Sequence, residues 1–362
     1  MFDIYVDEVM KIFMSSFRYT VSFCANNPER WDDTLKKCSY VPVEYTYHSL
    51  AYQEEYIRQI YNIIINMSVI VAQNGEDICL WPVTCVINDS YCWFSTNEKE
   101  VCPPIFVSGI THKVKNHVIN DAMEAIKRVY DYLLQKGFIL KPWQSRCNLL
   151  IEQRDSGVNE WYRRCKEEGG ETDVITNLYV DLGMDLELIH SNIRKHYKAL
   201  INKADRLWNS EVLVYMNDEE IELFRNKHIE VAGRETRSHE TWLCQQKSVN
   251  SGNGFVIKLT DRLSGQMVGE SLFEISRDEG LYSVGVYDRD LYDEPVSHIV
   301  QWKAIEYMKQ IGLKKYRIGQ RFYSGKGMHI IEPTEKELSI SYFKEGFATE
   351  HVHTLIVTNP LE

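Results

Sequence analysis

The sequence predicts an α/β fold with mixed sheets of the α+β kind, in which one order of elements occurs twice. Each half reads helix, hairpin, strand, central helix, strand, helix, strand. The chain has 362 residues, which is enough for two domains of about 100–200 residues each. A stretch with helical periodicity, residues 185–208, lies between the halves. We therefore expect domains at residues 1–184 and 211–362, joined by a long connecting helix at residues 185–210.

The first half is predicted from a turn signal and a helical stripe. Asn74-Gly75 lies between two apolar runs and is typical of a tight β-hairpin turn. Apolar residues then recur every three or four positions, as on one face of a helix, at Val118, Ala122, Ile126, Val129 and Leu133. The expected helices are 51–66, 118–133 and 158–168, and the expected strands are 68–72, 78–87, 91–94, 105–107, 148–152 and 174–181.

The second half repeats the order with different residues. Ser264-Gly265 marks the hairpin turn, and Gly312 ends the central helix. The expected helices are 219–224, 236–248, 297–311 and 335–344, and the expected strands are 254–259, 267–275, 281–287, 315–319 and 351–358. Ser297 is expected to cap the central helix, because a serine hydroxyl accepts a hydrogen bond from a free N–H group of the first turn.

Composition excludes several classes of protein. The net charge of −11 disfavours nucleic acid as a partner, because phosphate binding needs basic surfaces. The chain has no apolar run of about 18 residues and no basic region before an apolar run at its start, so we expect neither a membrane span nor a signal peptide. The 9 cysteines are irregularly spaced without a CxxC pair. This pattern predicts reduced thiols, a cytoplasmic protein and no metal site.

Three stretches carry a resemblance to a known family. They are residues 180–182 leading into the helical stretch 186–204, residues 232–242, and residues 283–298 together with 335–347. The repeated order of elements is similar to the GNAT acyltransferase fold. Two such units in tandem resemble the Fem-type peptidyltransferases and the Fem-related nucleotide-sugar N-acyltransferases. One departure is clear: the loop 287–298, where GNAT proteins carry a glycine-rich diphosphate loop, contains no glycine.

The resemblance implies an N-acyltransferase with coenzyme A as its cofactor. It implies transfer of an acyl group, with 3-hydroxybutyryl and acetyl as the expected groups, from acyl-CoA to the amine of a nucleotide-linked amino sugar. A dTDP-3-amino-3,6-dideoxyhexose used for lipopolysaccharide O-antigen or capsule is one such acceptor. The partners would then be the nucleotide sugar and acyl-CoA, with neither nucleic acid nor membrane. Two alternatives stay open: an aminoacyl-tRNA-dependent Fem-type peptidyltransferase, and an inactive binding protein with this fold.

Acyl transfer to an amine needs a proton acceptor, and the sequence offers two near the expected cleft. Asp288 lies at the end of the third strand and His298 lies just inside the central helix. A histidine has a suitable ordinary pKa for this role. Tyr323 follows the next strand and could donate a proton to a thiolate.

Binding residues are expected around the same cleft and in the loop before residue 242. The expected cofactor-binding residues are Arg289, Ser297, Gln320 and Arg321. The expected substrate-binding residues are Arg234, Arg237 and Trp242, with the two arginines on one helical face where they could hold a phosphate. The segment 325–327 lacks the P-loop spacing and is expected to be a mobile loop over the site.

Overall fold

The computed structural model describes residues 2–96, 100–325 and 332–359, and the chain divides into two units. The first unit comprises Met1–Val174 and His353–Glu362, and the second comprises Ile175–Val352. This division differs from the predicted boundaries in two places. Residues 185–210 lie within the second unit, and the end of the chain belongs to the first. The cuts fall inside two strands, β11 (Glu171–Asp181) and β17 (Glu350–Asn359).

The first unit contains five helices and ten complete strands among its described residues. The helices are α1 (Phe2–Ser15), α2 (Pro28–Leu35), α3 (Tyr47–Arg58), α4 (His112–Gln135) and α5 (Val158–Glu167). The strands are β1 (Thr20–Phe23), β2 (Ile63–Asn66), β3 (Val69–Gln73), β4 (Glu76–Trp81), β5 (Thr84–Asn88), β6 (Tyr91–Ser95), β7 (Glu100–Val101), β8 (Ile105–Phe106), β9 (Ile139–Leu140) and β10 (Trp143–Asn148).

The described strands of the first unit form one antiparallel sheet and one mixed sheet. Two sheets have the orders β1-β3-β4-β8 and β2-β5-β6-β9. The predicted hairpin joins β3 to β4, with φ of 52° at Asn74 and 86° at Gly75. Both positive angles fit a tight turn, and the second favours glycine. In addition, β10 pairs in parallel with β7 and in antiparallel with residues 354–359 of β17.

Three predicted elements of the first unit are wrong in their extent. The helix predicted at 51–66 ends at Arg58, and residues 63–66 form strand β2 instead. The run 78–87 is two strands in different sheets, because Pro82 has no N–H group to continue the β4 ladder. The strand expected at 148–152 lies earlier, at β10. Apolar residues alone therefore predicted the strands but not where each one stops.

The central helix α4 covers the core of the first unit. Its apolar stripe from Val118 to Leu133 is buried, as its spacing predicts. The stripe packs in one cluster with large aromatic side chains, including Phe13, Trp81 and Trp161. Each such burial stabilises the fold by about 1.5–3 kcal/mol.

The second unit has six helices and five complete strands in its described part. The helices are α6 (Leu186–Asn192), α7 (Lys195–Leu207), α8 (Asp218–Ala232), α9 (His239–Asn250), α10 (Val296–Gln310) and α11 (Glu335–Glu345). The strands are β12 (Trp208–Leu213), β13 (Gly254–Asp261), β14 (Met267–Ile275), β15 (Glu279–Tyr287) and β16 (Lys315–Arg321).

The sheet of the second unit runs in the order β12-β13-β14-β15-β16-β11. One core cluster joins the sheet to α7 and α10, with Phe255, Val300 and Tyr316 among its buried members. A smaller cluster joins the sheet to α8 and α9 through Phe224, Trp242 and Leu272. The sheet is therefore covered by helices on both faces.

The predicted connecting helix is two helices rather than one. Ile193 and Arg194 separate α6 from α7, and their ψ angles of 137° and 128° are extended rather than helical. The apolar stripe is real, because Ile189, Tyr197 and Ile201 are buried in the core of the second unit. The periodicity continued through the break, so spacing alone could not reveal it.

Candidate functional site

A wedge opens in the sheet of the second unit where two parallel strands part. β15 and β16 pair only over Glu279–Leu281 and Lys315–Arg317. Beyond that point β15 continues along β14 as far as Tyr287, and β16 continues along β11 as far as Arg321. We call the opening between residues 282–287 and 318–321 the wedge.

Two bulges explain why the strands part at this point. The pairing of β15 with β14 skips Ser283, and the pairing of β16 with β11 skips Ile318. A bulge adds one residue to one strand, bends that strand and increases its twist. Both extra residues lie just past the last pair that joins β15 to β16. The open side of the wedge therefore presents peptide groups of two strands that no longer face each other.

Lys344 lies at the wedge, although no motif in the sequence distinguishes it from other surface lysines. A Cβ atom at Gly319 of β16 would be 2.8 Å from the Lys344 Nζ atom. The same Nζ atom is 5.3 Å from the centroid of the Tyr282 ring on β15. Burial lowers the pKa of Lys344 to about 8. A lysine in the last turn of a helix normally just complements the helix dipole, so its position in the sequence was uninformative.

The charge of Lys344 is not neutralised within the described part of the chain. No carboxylate described there forms an ion pair with its Nζ atom, whereas the next residue, Glu345, pairs with Arg321 at 3.0 Å. A buried ammonium group without a counter-ion is unfavourable for stability. Such groups occur preferentially at sites that bind or transform a ligand.

Arg321, the last residue of β16, and Tyr323 lie together beside the wedge. They line an open hollow of ≈ 370 Å³ with Ser324, Leu338 and Tyr342. The Arg321 guanidinium lies 4.7 Å from the centroid of the Tyr323 ring. Gln320 precedes Arg321 on β16 and is half-buried opposite Asn177. The binding roles of Gln320 and Arg321 and the acid role of Tyr323 stay predictions.

Asp288 and Arg289 follow β15, but their side chains contact helix α8. The Asp288 carboxylate forms an ion pair with Lys227. The Arg289 Nε atom donates to the backbone carbonyl of Val231 at 3.0 Å. The base role of Asp288 and the phosphate-binding role of Arg289 therefore stay predictions, and each would require the residue to leave its present partner.

The start of α10 does not form the anion site that a glycine-rich loop provides. Pro295 occupies the N-cap position without a side-chain hydrogen bond, so the expected capping by Ser297 is wrong. The N–H groups of Val296 and His298 donate to Glu294 and Pro295 carbonyls instead. Ser297 lies one residue inside the helix and is half-buried.

His298 is enclosed by aromatic rings. Its ring centroid lies 4.6 Å from that of Tyr197 and 5.0 Å from that of Phe343, both in edge-on geometry. Burial lowers its pKa to about 4, and among the described residues neither ring nitrogen has a hydrogen-bond partner. These are the contacts of a packed, neutral histidine. The catalytic role of His298 stays a prediction that its surroundings do not favour.

The residues expected to bind the acceptor are only partly accessible. Arg234 and Arg237 lie in the loop between α8 and α9, so the shared helical face expected for them does not form. Arg234 is exposed, whereas the Arg237 guanidinium is buried 3.8 Å from the centroid of the Trp242 ring. Trp242 is 1% exposed and belongs to the core. Lys326 and Gly327 of the expected mobile loop lie outside the described residues.

Glu270 is a second buried ionisable group that the sequence did not single out. It lies on β14 opposite Lys258 and Val286 and is 2% exposed. Burial raises its pKa to about 7, and its Oε2 atom has no hydrogen-bond partner among the described residues. A glutamate in a strand pattern resembles any other polar residue, so only the fold reveals its burial.

Neither a metal-ligand cluster nor a helix that could span a membrane is found among the described residues. Within residues 2–96, 100–325 and 332–359, no three His, Cys, Asp or Glu side chains are grouped as ligands of one metal ion. None of the helices in the same ranges combines the length and hydropathy required of a membrane span.

Comparison with known proteins identifies the fold. No protein-family model and no curated protein matches the sequence. Among solved structures, FemX is similar with a TM-score of 0.62 and 10% identity, over 91% of this chain and 95% of that one. L-PGS from Bacillus licheniformis has a TM-score of 0.55 and 12% identity, over 92% of each chain. A conserved protein of unknown function from Bacteroides thetaiotaomicron has a TM-score of 0.56 and 7% identity, over 95% of this chain and 100% of that one. The chain therefore shares its fold with FemX and with L-PGS from Bacillus licheniformis.

Proposed function

We propose that this chain is an N-acyltransferase whose reaction takes place in the wedge of the second unit. The observation that carries the proposal is the parting of β15 and β16 at two bulges, with the Lys344 ammonium group at the opening. An activated acyl group needs a slot in which its carbonyl oxygen meets hydrogen-bond donors. Where β15 leaves β16, the backbone N–H groups of β15 on that side no longer face a paired strand, so they can line such a slot.

The wedge suits the chemistry of acyl transfer. The nitrogen of a neutral amine attacks the carbonyl carbon, and the carbonyl electron pair moves onto oxygen. Backbone N–H groups of residues 282–287 and the Lys344 ammonium group would stabilise that negative charge. With a pKa of about 8, Lys344 is mainly charged at pH 7. Collapse of the intermediate then expels the thiolate or alkoxide of the donor, and the amine loses one proton.

The substrates we propose are acyl-CoA and a nucleotide-linked amino sugar, such as a dTDP-3-amino-3,6-dideoxyhexose used in surface polysaccharide. The net charge of −11 supports small-molecule substrates over tRNA. The hollow beside the wedge is lined by two tyrosine rings, which suit a flat group, and by Arg321, which would have to share its charge between Glu345 and an anionic ligand. This assignment of substrates rests on the sequence resemblance together with these charges.

A second candidate uses aminoacyl-tRNA as the acyl donor. Its support is the start of α10, where the loop has no glycine and where Asp288 and Arg289 are held by α8. Four carboxylates in that loop, at positions 288, 290, 293 and 294, would repel the diphosphate of coenzyme A. A donor without a diphosphate at this position avoids the conflict.

A donor panel separates the candidates. The protein is incubated with acetyl-CoA or 3-hydroxybutyryl-CoA and a set of amino nucleotide sugars, and in parallel with aminoacyl-tRNA, and the products are identified by mass spectrometry. Acylated nucleotide sugar supports the first candidate, and product from aminoacyl-tRNA alone supports the second. If no donor gives product but a thioester raises the thermal midpoint, the chain is a binding protein with this fold.

A matched pair of lysine variants tests the place of the reaction. Lys344→Met should abolish most of the transfer, because it removes the ammonium group at the wedge. Lys336→Met changes an exposed lysine of the same helix and should leave transfer unchanged. Equal activity of the two variants would contradict a reaction in the wedge.

A further inference from the structure

We propose that Lys344 is a modification site, whose amine takes the acyl group from the donor when no acceptor is present and thereby inactivates the enzyme. The inference rests on the proposed acyl transfer and adds a regulation of the same site. A lysine amine is the same kind of nucleophile as the amine of an acceptor. An amine beside the acyl group therefore competes with the acceptor for it.

The Lys344 side chain reaches both strands that border the wedge. A Cβ atom at Gly319 would lie 2.8 Å from its Nζ atom, and Gly319 belongs to the part of β16 beyond the last pair with β15. The same Nζ atom lies 5.3 Å from the ring centroid of Tyr282, the first residue of β15 beyond that pair. The amine is therefore placed between the two strands that would enclose the acyl carbonyl group.

The Lys344 amine is available to react, because no carboxylate or hydrogen-bond acceptor among the described residues holds it. Lys315 shows the usual alternative for a buried lysine of this unit, since its Nζ atom lies 2.7 Å from a Glu350 carboxylate oxygen. Burial lowers the pKa of Lys344 to about 8. At pH 7 roughly one molecule in ten then carries the neutral amine, against fewer than about one in a thousand for an exposed lysine of ordinary pKa.

The modification is an acyl transfer that needs no oxidant or reductant. The lone pair of the neutral Lys344 amine attacks the donor's carbonyl carbon, a C–N bond forms, and the carbonyl electron pair moves onto oxygen. Collapse of this intermediate breaks the bond from the carbonyl carbon to the donor's sulfur or oxygen. The thiolate or alkoxide leaves with that electron pair and gains a proton, while the nitrogen releases one to water. The product is an amide of Lys344.

The modified protein lacks the charge that the proposed reaction uses. Acylation removes the positive charge of a lysine, so the amide cannot stabilise the oxyanion as the ammonium group does. The added acyl group also occupies space between Gly319 and the Tyr282 ring. An acceptor that attacks first consumes the donor and so protects Lys344. Activity is therefore lost only when the donor is present without an acceptor.

The test measures acetylation of individual lysines by peptide mass spectrometry. The protein is incubated with acetyl-CoA and, separately, with para-nitrophenyl acetate, a small activated ester that requires no binding site for coenzyme A. Both reagents should acetylate Lys344 roughly tenfold faster or more than Lys336, an exposed lysine of the same helix. This comparison is made within the wild-type protein, so it does not depend on the folding of a variant. Lys344→Arg should abolish the acetylation at this position, whereas Lys336→Arg should leave the acetylation of Lys344 unchanged.

Transfer activity gives the second readout. Preincubation with either acetyl reagent should inactivate the protein in step with acetylation of Lys344, and an acceptor added together with acetyl-CoA should prevent the loss. If the protein transfers acyl groups to an acceptor but neither reagent acetylates Lys344 faster than Lys336, this inference is wrong and the proposed function stands. If no donor gives product and Lys344 also stays unmodified, the proposed function and the inference both fail.

Discussion

Replacing Lys344 by methionine should make the protein more stable while removing activity. In the folded state the pKa of Lys344 falls from 10.5 to about 8, because burial disfavours the charged form. That difference of ~2.5 pH units corresponds to about 3 kcal/mol at about 1.4 kcal/mol per unit. Methionine keeps the length and apolar character of the stem without the charge. The variant should therefore gain up to about 3 kcal/mol in free energy of unfolding at pH 7.

The pH dependence of this stability difference follows from proton binding by Lys344. Between pH 8 and 10.5 the unfolded chain keeps the Lys344 proton that the folded chain has released. Wild-type stability therefore rises across this window relative to the variant, and the difference between the two proteins should shrink toward zero above it. At pH 7 the full cost of the buried charge remains in the wild-type protein.

Urea unfolding at pH 7, 9 and 10.5 measures this difference directly, with Lys336→Met as the control for loss of an exposed charge. Other titrating groups cancel in the comparison because both proteins contain them. Two outcomes would contradict a buried charge at Lys344: a Lys344→Met protein less stable than wild type at pH 7, or a stability difference between the two proteins that does not change with pH. Either outcome would also remove the support for an ammonium group at the wedge.

Four further predictions concern other groups of the second unit. Glu270→Gln should be more stable than wild type at pH 8 but not at pH 4.5. Burial raises the pKa of Glu270 from 4.5 to about 7, so wild-type stability falls as pH rises through that range. If Glu270 is solvated, chemical denaturation will show the same stability difference between variant and wild type at both pH values. His298→Asn should keep kcat within about threefold, because the imidazole is neutral and enclosed; a loss of 10²-fold or more would restore it as the base. Arg237→Ala should lower the thermal midpoint by several degrees through lost contact with a buried indole. Exposed Arg234→Ala should leave the midpoint unchanged and, if it binds a phosphate, raise KM roughly tenfold.

Local patterns predicted the elements of the fold well. The α4 stripe and the Asn74-Gly75 hairpin depend on residues that are close in sequence, so their spacing carries the information. The break between α6 and α7 could not be predicted from spacing, because an apolar stripe can continue across two helices that share one core. The fold class was therefore predictable, whereas the ends of the elements depend on tertiary contacts.

The candidate site was less predictable, because it depends on register. The wedge results from single extra residues, Ser283 and Ile318, in pairs of strands that are distant in sequence. Asp288 and His298 were selected for their positions after a strand and inside a helix, but residues of other helices determine their contacts. Lys344 could be recognised only once the fold had placed it against Gly319.

Strand β17 constrains how the first unit can be made. Its residues 354–359 complete the ladder of β10 in the first unit, yet the ribosome adds them only after the second unit. At ~5–20 residues per second, β10 waits roughly ten to forty seconds for this partner while the second unit is synthesised. During that time its open edge is exposed to other strands and to chaperones. A fragment that stops at residue 184 would keep this edge open permanently, so expression of the first unit alone should yield an aggregating product.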